Sequence, residues 1–192
     1  MIDETLIKSI EIYLEKTFVN HKSRLRHIYN VKKVAITLGN IYSVDIPSVI
    51  VASYLHDATK INSDEENTAL ASKLIYEGIP SACVHAFSAA ILAKERFGIT
   101  DIDILNSIKY HCSGRKNMSL LEKIIYVSDF IEDGRDFVSD ELRAIAKTNI
   151  DKAVYLIMIQ TKNYILKNKQ KFSSKTEEAI SYYQKKLEEF ND

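Results

Sequence analysis

Residues 56–60 read His56-Asp57-Ala58-Thr59-Lys60, and they close an apolar segment that begins near Pro47. A proline suits the first turn of a helix, where its missing N–H costs no hydrogen bond. Adjacent residues on a helix point about 100° apart, so His56 and Asp57 project in two directions from one helix end. An imidazole beside a carboxylate predicts metal ligands, and the two carboxylate oxygens can bridge two ions. A lone His-Asp pair is common by chance, so the prediction depends on what accompanies it.

Three further histidines and an aspartate lie at intervals on either side of this pair, each on or at the end of a predicted helix: His27, His85, His111 and Asp129. His27 lies one turn before Val31, on the apolar stripe of its helix. Asp129 follows Ile125 by one turn and shares its apolar face. A buried carboxylate is costly unless it is paired or bound to a metal. We therefore predict that these side chains converge on a shared cation inside a helical core.

The rest of the chain predicts helices almost throughout. Only five glycines and two prolines interrupt 192 residues, and apolar residues recur at helical spacing. Ser119 and Glu122 form a capping box at one predicted helix start, while Gly39 and Gly98 are predicted helix ends. We expect an all-α, single-domain bundle of about eight to ten helices spanning residues 1–192. Its catalytic core is expected at 20–140, with C-terminal helices from 141–192 packed on it.

Composition and charge exclude several classes of protein. The 26 basic and 26 acidic side chains give a formal net charge of zero, so no overall field favours nucleic acid or an anionic membrane. The acidic residues 1–4 do not resemble a signal peptide, and no apolar run approaches the roughly 20 residues of a membrane span. We expect a soluble cytoplasmic protein. Cys83 and Cys112 form neither a CxxC pair nor a secreted disulfide framework, and we expect Cys112 to pack rather than to bind metal.

The order of these residues resembles a known family. His27, the His56-Asp57 pair and Asp129 resemble the signature of the HD superfamily of metal-dependent phosphohydrolases, and His85 and His111 resemble the extra ligands of its two-metal members. Longer stretches narrow the resemblance to the YqeK-type symmetrical bis(5′-nucleosyl)-tetraphosphatases, often described as HD hydrolases involved in NAD metabolism: Arg24-Leu25-Arg26-His27, residues 56–60, His111-Cys112-Ser113-Gly114 and Ser128-Asp129-Phe130-Ile131-Glu132-Asp133-Gly134-Arg135. The similarity covers about residues 20–140 and implies an HD-type helical bundle.

Three positions depart from the pattern of that family. Cys112 stands where we expect threonine, Ser128 where we expect alanine, and Asp133 where we expect proline. None of these departures removes a metal ligand. Cys112 and Asp133 can still alter the substrate pocket, so the resemblance is stronger for reaction class than for substrate choice.

The resemblance implies two divalent metal ions, with iron as the expected metal, while the ligand types alone leave manganese and zinc open. One ion is assigned to His27, His56, Asp57 and Asp129, and the other to Asp57, His85 and His111, so that Asp57 bridges. A metal-activated hydroxide is then expected to attack an inner phosphorus of diadenosine tetraphosphate and release two ADP. Asp57 and Lys60 are the expected catalytic residues. Cations stabilise charge on a leaving phosphate, so four residues are expected to bind substrate: Arg24, Lys60, Arg115 and Arg135.

Three other functions remain open on the sequence. A nucleoside mono- or triphosphate phosphohydrolase needs the same metal core and a different pocket. A diiron oxygenase can use the same ligands, although Lys60 and the arginines favour a phosphate substrate. A metal-stabilised regulatory domain without catalysis is disfavoured by the complete ligand set. The expected partner is a small-molecule nucleotide, with neither nucleic acid nor membrane, and a homodimer is left open.

Overall fold

The computed structural model describes residues 2–75, 79–169 and 173–189. Within these ranges the chain forms ten α-helices and no strand, which confirms the all-α prediction. The helices are α1 (Glu4–Thr17), α2 (Lys22–Ile41), α3 (Ile46–Leu55), α4 (Asp64–Ala71), α5 (Val84–Phe97), α6 (Ile102–Tyr110), α7 (Leu120–Ile131), α8 (Asp140–Thr148), α9 (Ile150–Lys167) and α10 (Ser174–Glu189). A short 3-10 helix, Ser81–Cys83, leads directly into α5.

Two of the predicted helix ends are found where local signals place them. The Ser119 hydroxyl accepts from the Glu122 backbone N–H at 3.1 Å, and the Glu122 carboxylate accepts from the Ser119 N–H at 2.7 Å, which starts α7. Gly98 ends α5 at a φ of 66°, the left-handed conformation that glycine adopts without steric cost.

The prediction that Gly39 ends a helix was wrong. Helix α2 continues to Ile41, and Gly39 lies inside it, facing α3. A Cβ atom built on Gly39 would lie 3.1 Å from both Ile46 Cδ1 and Val49 Cγ2. The glycine therefore permits the close approach of α2 and α3, the two helices that carry His27 and lead into His56.

Helix α7 occupies the centre of the bundle. Every residue from Leu121 to Ser128 is buried, and α7 packs against α2, α3, α6, α8 and α9. A helix buried on all sides belongs to the interior of a fold. Asp129 follows this buried stretch directly, so its carboxylate lies at the edge of the core, with 22% of the side chain exposed.

Helices α8 and α9 pack on α7, and α10 packs on α9. Asp151 of α9 pairs with Lys123 of α7 at 3.0 Å and with Lys186 of α10 at 2.9 Å. The buried Tyr183 hydroxyl accepts a hydrogen bond from the Met118 N–H at 3.1 Å. No helix among the described residues has the length and apolarity to cross a membrane.

Candidate metal centre

Six side chains that the sequence singles out meet at one place in the bundle. They come from α2, from the end of α3, from α5, from the end of α6 and from α7. We refer to them as the His/Asp cluster: His27, His56, Asp57, His85, His111 and Asp129. The structure therefore brings together every predicted metal ligand.

The first half of the cluster is built around the Nε2 atom of His27. This atom lies 3.0 Å from Asp129 Oδ1 and 3.4 Å from His56 Nε2. Asp57 Oδ2 approaches the same place, 3.8 Å from His27 Nε2 and 4.0 Å from His56 Nε2. Two imidazole nitrogens and two carboxylate oxygens are thus gathered around one point.

The second half is built around the other oxygen of Asp57. Asp57 Oδ1 lies 3.0 Å from His85 Nε2 and 3.5 Å from His111 Nε2, and these two nitrogens are 3.3 Å apart. The Asp57 carboxylate therefore presents one oxygen to each half. This is the arrangement that a bridging ligand between two ions requires.

Hydrogen bonds on the outer side of the imidazoles fix where their protons lie. His56 Nδ1 is 2.6 Å from the Ser53 carbonyl oxygen, and His111 Nδ1 is 2.8 Å from the Ile108 carbonyl oxygen. A carbonyl only accepts, so each Nδ1 carries the proton and each Nε2 points a lone pair into the cluster. Metal-binding histidines are commonly oriented in this way.

The inward-pointing atoms need a cation among them. His56 Nε2 and His27 Nε2 face each other, and the buried Asp57 Oδ1 has no well-aligned hydrogen bond. Electron pairs at these distances repel unless a proton or a metal ion lies between them. Two sets within the cluster hold ligand atoms close enough for one ion: His27, His56 and Asp129, and His56, Asp57 and His111. Imidazole nitrogen and carboxylate oxygen suit a divalent transition metal, so the residues fit such a site.

Burial and neighbouring charges set the protonation of the cluster. Burial lowers the pKa of His56 to about 4 and also lowers the pKa of His85. Burial acts to raise the pKa of Asp57, but the imidazoles around it outweigh this and hold the pKa well below its ordinary value. At neutral pH these residues therefore present neutral nitrogens and an anionic carboxylate, the forms that bind metal.

The pKa values of the other two histidines, His27 and His111, are raised. Burial acts to lower the pKa of His27, but Asp129 and Asp57 outweigh it and raise the pKa. Burial also acts to lower the pKa of His111, but the Asp57 and Asp129 carboxylates outweigh it and raise the pKa. A metal ion must displace any proton held at these nitrogens, so binding becomes weaker as pH falls.

Glu132 belongs to the site although sequence reasoning did not select it. Its buried carboxylate lies 3.3 Å from His27 Nδ1, on the side of the ring away from the cluster. It also accepts from Asn30 Nδ2 at 2.8 Å and from the Gly134 N–H at 2.6 Å. Its position three residues after Asp129, directly after the last residue of α7, was the signal that could have identified it. A carboxylate in this place orients the imidazole and raises its basicity as a ligand.

The side chain of Arg143 holds the loop that carries Glu132. Arg143 of α8 donates to the backbone carbonyls of Val138 at 2.6 Å, Arg135 at 3.0 Å and Ile131 at 3.2 Å. One guanidinium thus donates hydrogen bonds to several backbone carbonyl groups between α7 and α8. Carbonyl groups at the end of a helix lack partners within the helix.

The four predicted phosphate-binding residues lie in different surroundings. Lys60 Nζ is 3.2 Å and 3.3 Å from the two ring nitrogens of His85, and Arg135 Nη2 is 3.3 Å from Asp129 Oδ1. The structure therefore places these two cations against the cluster. Arg24 is exposed. Arg115 donates to both carboxylate oxygens of Glu122 at 2.7 Å and 2.8 Å, and it has no described contact with a cluster residue.

Comparisons with known proteins find a matching family model, related sequences and a similar solved structure. The family model described as HD domain matches residues 24–154. A protein of Halalkalibacterium halodurans named bis(5′-nucleosyl)-tetraphosphatase, symmetrical, is 35% identical over 152 residues, which cover 77% of this chain and 81% of that protein. A Staphylococcus aureus protein of the same name is 30% identical over 180 residues, covering 89% and 92% respectively. A crystal structure from Clostridium acetobutylicum, described as a predicted HD superfamily hydrolase involved in NAD metabolism, has a TM-score of 0.87 at 34% identity and covers 93% of this chain and 97% of that one.

Proposed function

Because this chain belongs to the HD-domain family of metal-dependent nucleotide phosphohydrolases, we propose that it hydrolyses diadenosine tetraphosphate symmetrically to two molecules of ADP. The observation that carries the proposal is the His/Asp cluster, in which Asp57 offers one oxygen to each of two sets of ligands. The relatives named as symmetrical tetraphosphatases support the choice of substrate.

The two halves of the cluster would each hold one divalent ion, and we propose iron in both. His27, His56 and Asp129 would hold the first with Asp57 Oδ2, and His85 and His111 would hold the second with Asp57 Oδ1. Bound divalent ions lower the pKa of water, so that it becomes a nucleophile near neutral pH, and they offset the charge of phosphate oxygens.

The residues beside the cluster would position the tetraphosphate and stabilise the leaving group. Water attacks an inner phosphorus and loses a proton to the solvent, the bond from that phosphorus to the central bridging oxygen breaks, and one ADP departs with the electron pair. Lys60, next to His85, would meet the negative charge that develops on the departing oxygen. Arg135, next to Asp129, would hold the phosphate chain at the other half of the cluster.

The remaining parts of the sequence-based prediction stay predictions. Arg24 and Arg115 are still predicted to bind substrate, although Arg115 is held by Glu122. Four further expectations also remain predictions. They are the cytoplasmic location, the absence of nucleic acid as a partner, the division into a core at 20–140 with helices at 141–192, and the homodimer, which is left open.

Product analysis tests the proposal directly. The purified protein is loaded separately with iron, manganese or zinc, and the products from diadenosine tetraphosphate are separated by chromatography. We expect ADP alone. AMP together with ATP would contradict symmetric cleavage, and turnover of a simple nucleoside mono- or triphosphate in place of diadenosine tetraphosphate would favour the alternative phosphohydrolase. The Asp57→Ala protein, treated identically, controls for contaminating hydrolases.

A further inference from the structure

Two cysteines that are distant in the sequence lie side by side next to the His/Asp cluster. Cys83 is the last residue of the short 3-10 helix before α5. Cys112 directly follows His111, the cluster residue at the end of α6. Both thiols are free, and their Sγ atoms are 3.0 Å apart. The Cys112 thiol also faces the Ala82 carbonyl oxygen at 3.7 Å. Nothing in the sequence pattern predicted this proximity.

We propose that Cys83 and Cys112 form a reversible disulfide by exchange with a low-molecular-weight disulfide, and that its closure weakens metal binding in the second half of the cluster. The part that concerns metal binding rests on the proposed function, whereas formation of the disulfide does not.

A small disulfide has a route to this pair. Cys83 and Cys112 both line a cavity of about 590 Å³ whose wall also includes Tyr126, Thr161 and Tyr164. Cys83 is 5% exposed, whereas Cys112 is only partly buried. Since access limits thiol exchange, Cys112 is the thiol that reacts first and Cys83 the one that resolves.

The exchange is balanced without any further reagent. The Cys112 sulfur attacks one sulfur of the small disulfide, forming a mixed disulfide and releasing one small thiol, which takes the Cys112 proton. The Cys83 sulfur then attacks the Cys112 sulfur and releases the second small thiol, which takes the Cys83 proton. The protein loses two electrons, and the small disulfide gains them.

Closure acts on the cluster because each cysteine is next to a ligand of its second half. Cys83 lies two residues before His85, and Cys112 follows His111 directly. A disulfide requires an Sγ–Sγ distance of about 2.05 Å, roughly 1 Å shorter than the present contact. Closure therefore moves one or both cysteine side chains, and any part of this movement that the adjacent backbone takes up shifts the ligand beside it. Metal sites hold their ligand distances within about 0.2 Å, so we expect even a small shift to weaken binding.

Oxidation of the intact holoprotein tests the proposal. Manganese-loaded protein is incubated with bis(2-hydroxyethyl) disulfide, and its free thiols, intact mass and metal content are measured. We expect both thiols to be lost, the mass to fall by about two hydrogen atoms, and the metal content to drop from about two ions per chain to about one. Hydrolysis should fall at least about 10-fold, and dithiothreitol should restore all four quantities.

The matched control is Cys112→Ser, which keeps a similar side chain but cannot close the disulfide. Its metal content and its rate of hydrolysis should be the same before and after the small disulfide is added. Cys83→Ser should behave differently in one respect, because Cys112 should retain the small thiol as a mixed disulfide visible in the mass.

Three results would overturn the proposal: two thiols that persist in the wild type, a mixed disulfide that does not resolve, or a disulfide that leaves the metal content unchanged. Coupling must also be reciprocal, so manganese should make the pair harder to oxidise in a redox titration. Reduced protein that binds two ions but does not cleave diadenosine tetraphosphate would count against the proposed function alone, because the thiol, mass and metal measurements do not depend on that substrate.

Discussion

The polar groups of the His/Asp cluster differ from the partly buried groups that join α9 to α7 and to α10. In the C-terminal packing, the Asp151 carboxylate lies between two ammonium groups, those of Lys123 and Lys186. In the cluster, lone pairs face lone pairs, and Asp57 Oδ1 lacks an aligned donor. Opposite charges that pair with one another are satisfied within the fold, whereas converging acceptors require a proton or a metal ion between them. A buried charged group therefore indicates a functional site only when the surrounding side chains leave that group without a partner.

The largest effect is expected from Asp57→Ala, which removes the shared member of both halves. Loss of a residue that only orients a ligand costs about 10–100-fold in metal affinity or activity, so loss of the bridging ligand should exceed about 100-fold. Metal content by elemental analysis and the rate of diadenosine tetraphosphate hydrolysis check this. Far-UV circular dichroism should remain that of the wild type, and an Asp57→Ala protein that retains both metal and turnover would refute the bridging role.

Lys60→Met separates phosphate stabilisation from metal binding. Removing one group that meets charge in the transition state costs about 100-fold or more in kcat, and the methionine keeps most of the side-chain volume. We expect that loss with unchanged metal content, and a partial recovery in Lys60→Arg. A Lys60→Met protein that loses metal as well would instead show that Lys60 supports His85.

Glu132 tests whether the orientation of His27 matters. Glu132→Ala removes the acceptor for His27 Nδ1 and should weaken metal binding or hydrolysis about 10–100-fold. Glu132→Gln retains an amide oxygen at the same place, so it should lose less. The two variants are compared by titrating metal into the metal-free protein. Equal losses in both would indicate that the charge of Glu132, and not its hydrogen bond, is what His27 requires.

The sequence predicted the cluster more completely than the contacts around it. Histidines and aspartates on apolar faces are visible because burial of such groups is costly, so His27 and Asp129 could be selected from helical periodicity alone. The role of Gly39 was predicted wrongly because, in a sequence, a glycine at a helix end cannot be told from a glycine at a helix crossing. The neighbouring helix α3 is needed to distinguish the two. The Cys83–Cys112 pair was missed because its role arises from a contact that helical periodicity does not encode. Glu132 was missed although its spacing of three residues from Asp129 was a usable signal.

The smallest effect on catalysis is expected from Asp151→Asn, which removes the charge that joins α9 to α7 and α10. This variant should hydrolyse at the wild-type rate, yet it should lower the free energy of unfolding by about 1–3 kcal/mol, between the values for exposed and buried ion pairs. Glu141→Gln is the matched control, because Glu141 also occupies the second position of its helix but is exposed. It should change stability by less than about 0.5 kcal/mol.

The pH dependence of this variant makes the test specific. Burial acts to raise the pKa of Asp151, but Lys186 and Lys123 outweigh it and lower the pKa below the ordinary value of 3.8. A carboxyl whose pKa is lowered in the folded protein adds stability that is fully present above its unfolded pKa and is lost as pH falls through the folded pKa. Denaturation of metal-free protein should therefore show a constant gap between wild type and Asp151→Asn from pH 7 to about pH 5, which shrinks at lower pH. A gap that stays the same down to pH 3 would mean that Asp151 contributes through packing, and the contrast with the His/Asp cluster would no longer be one of satisfied against unsatisfied charge.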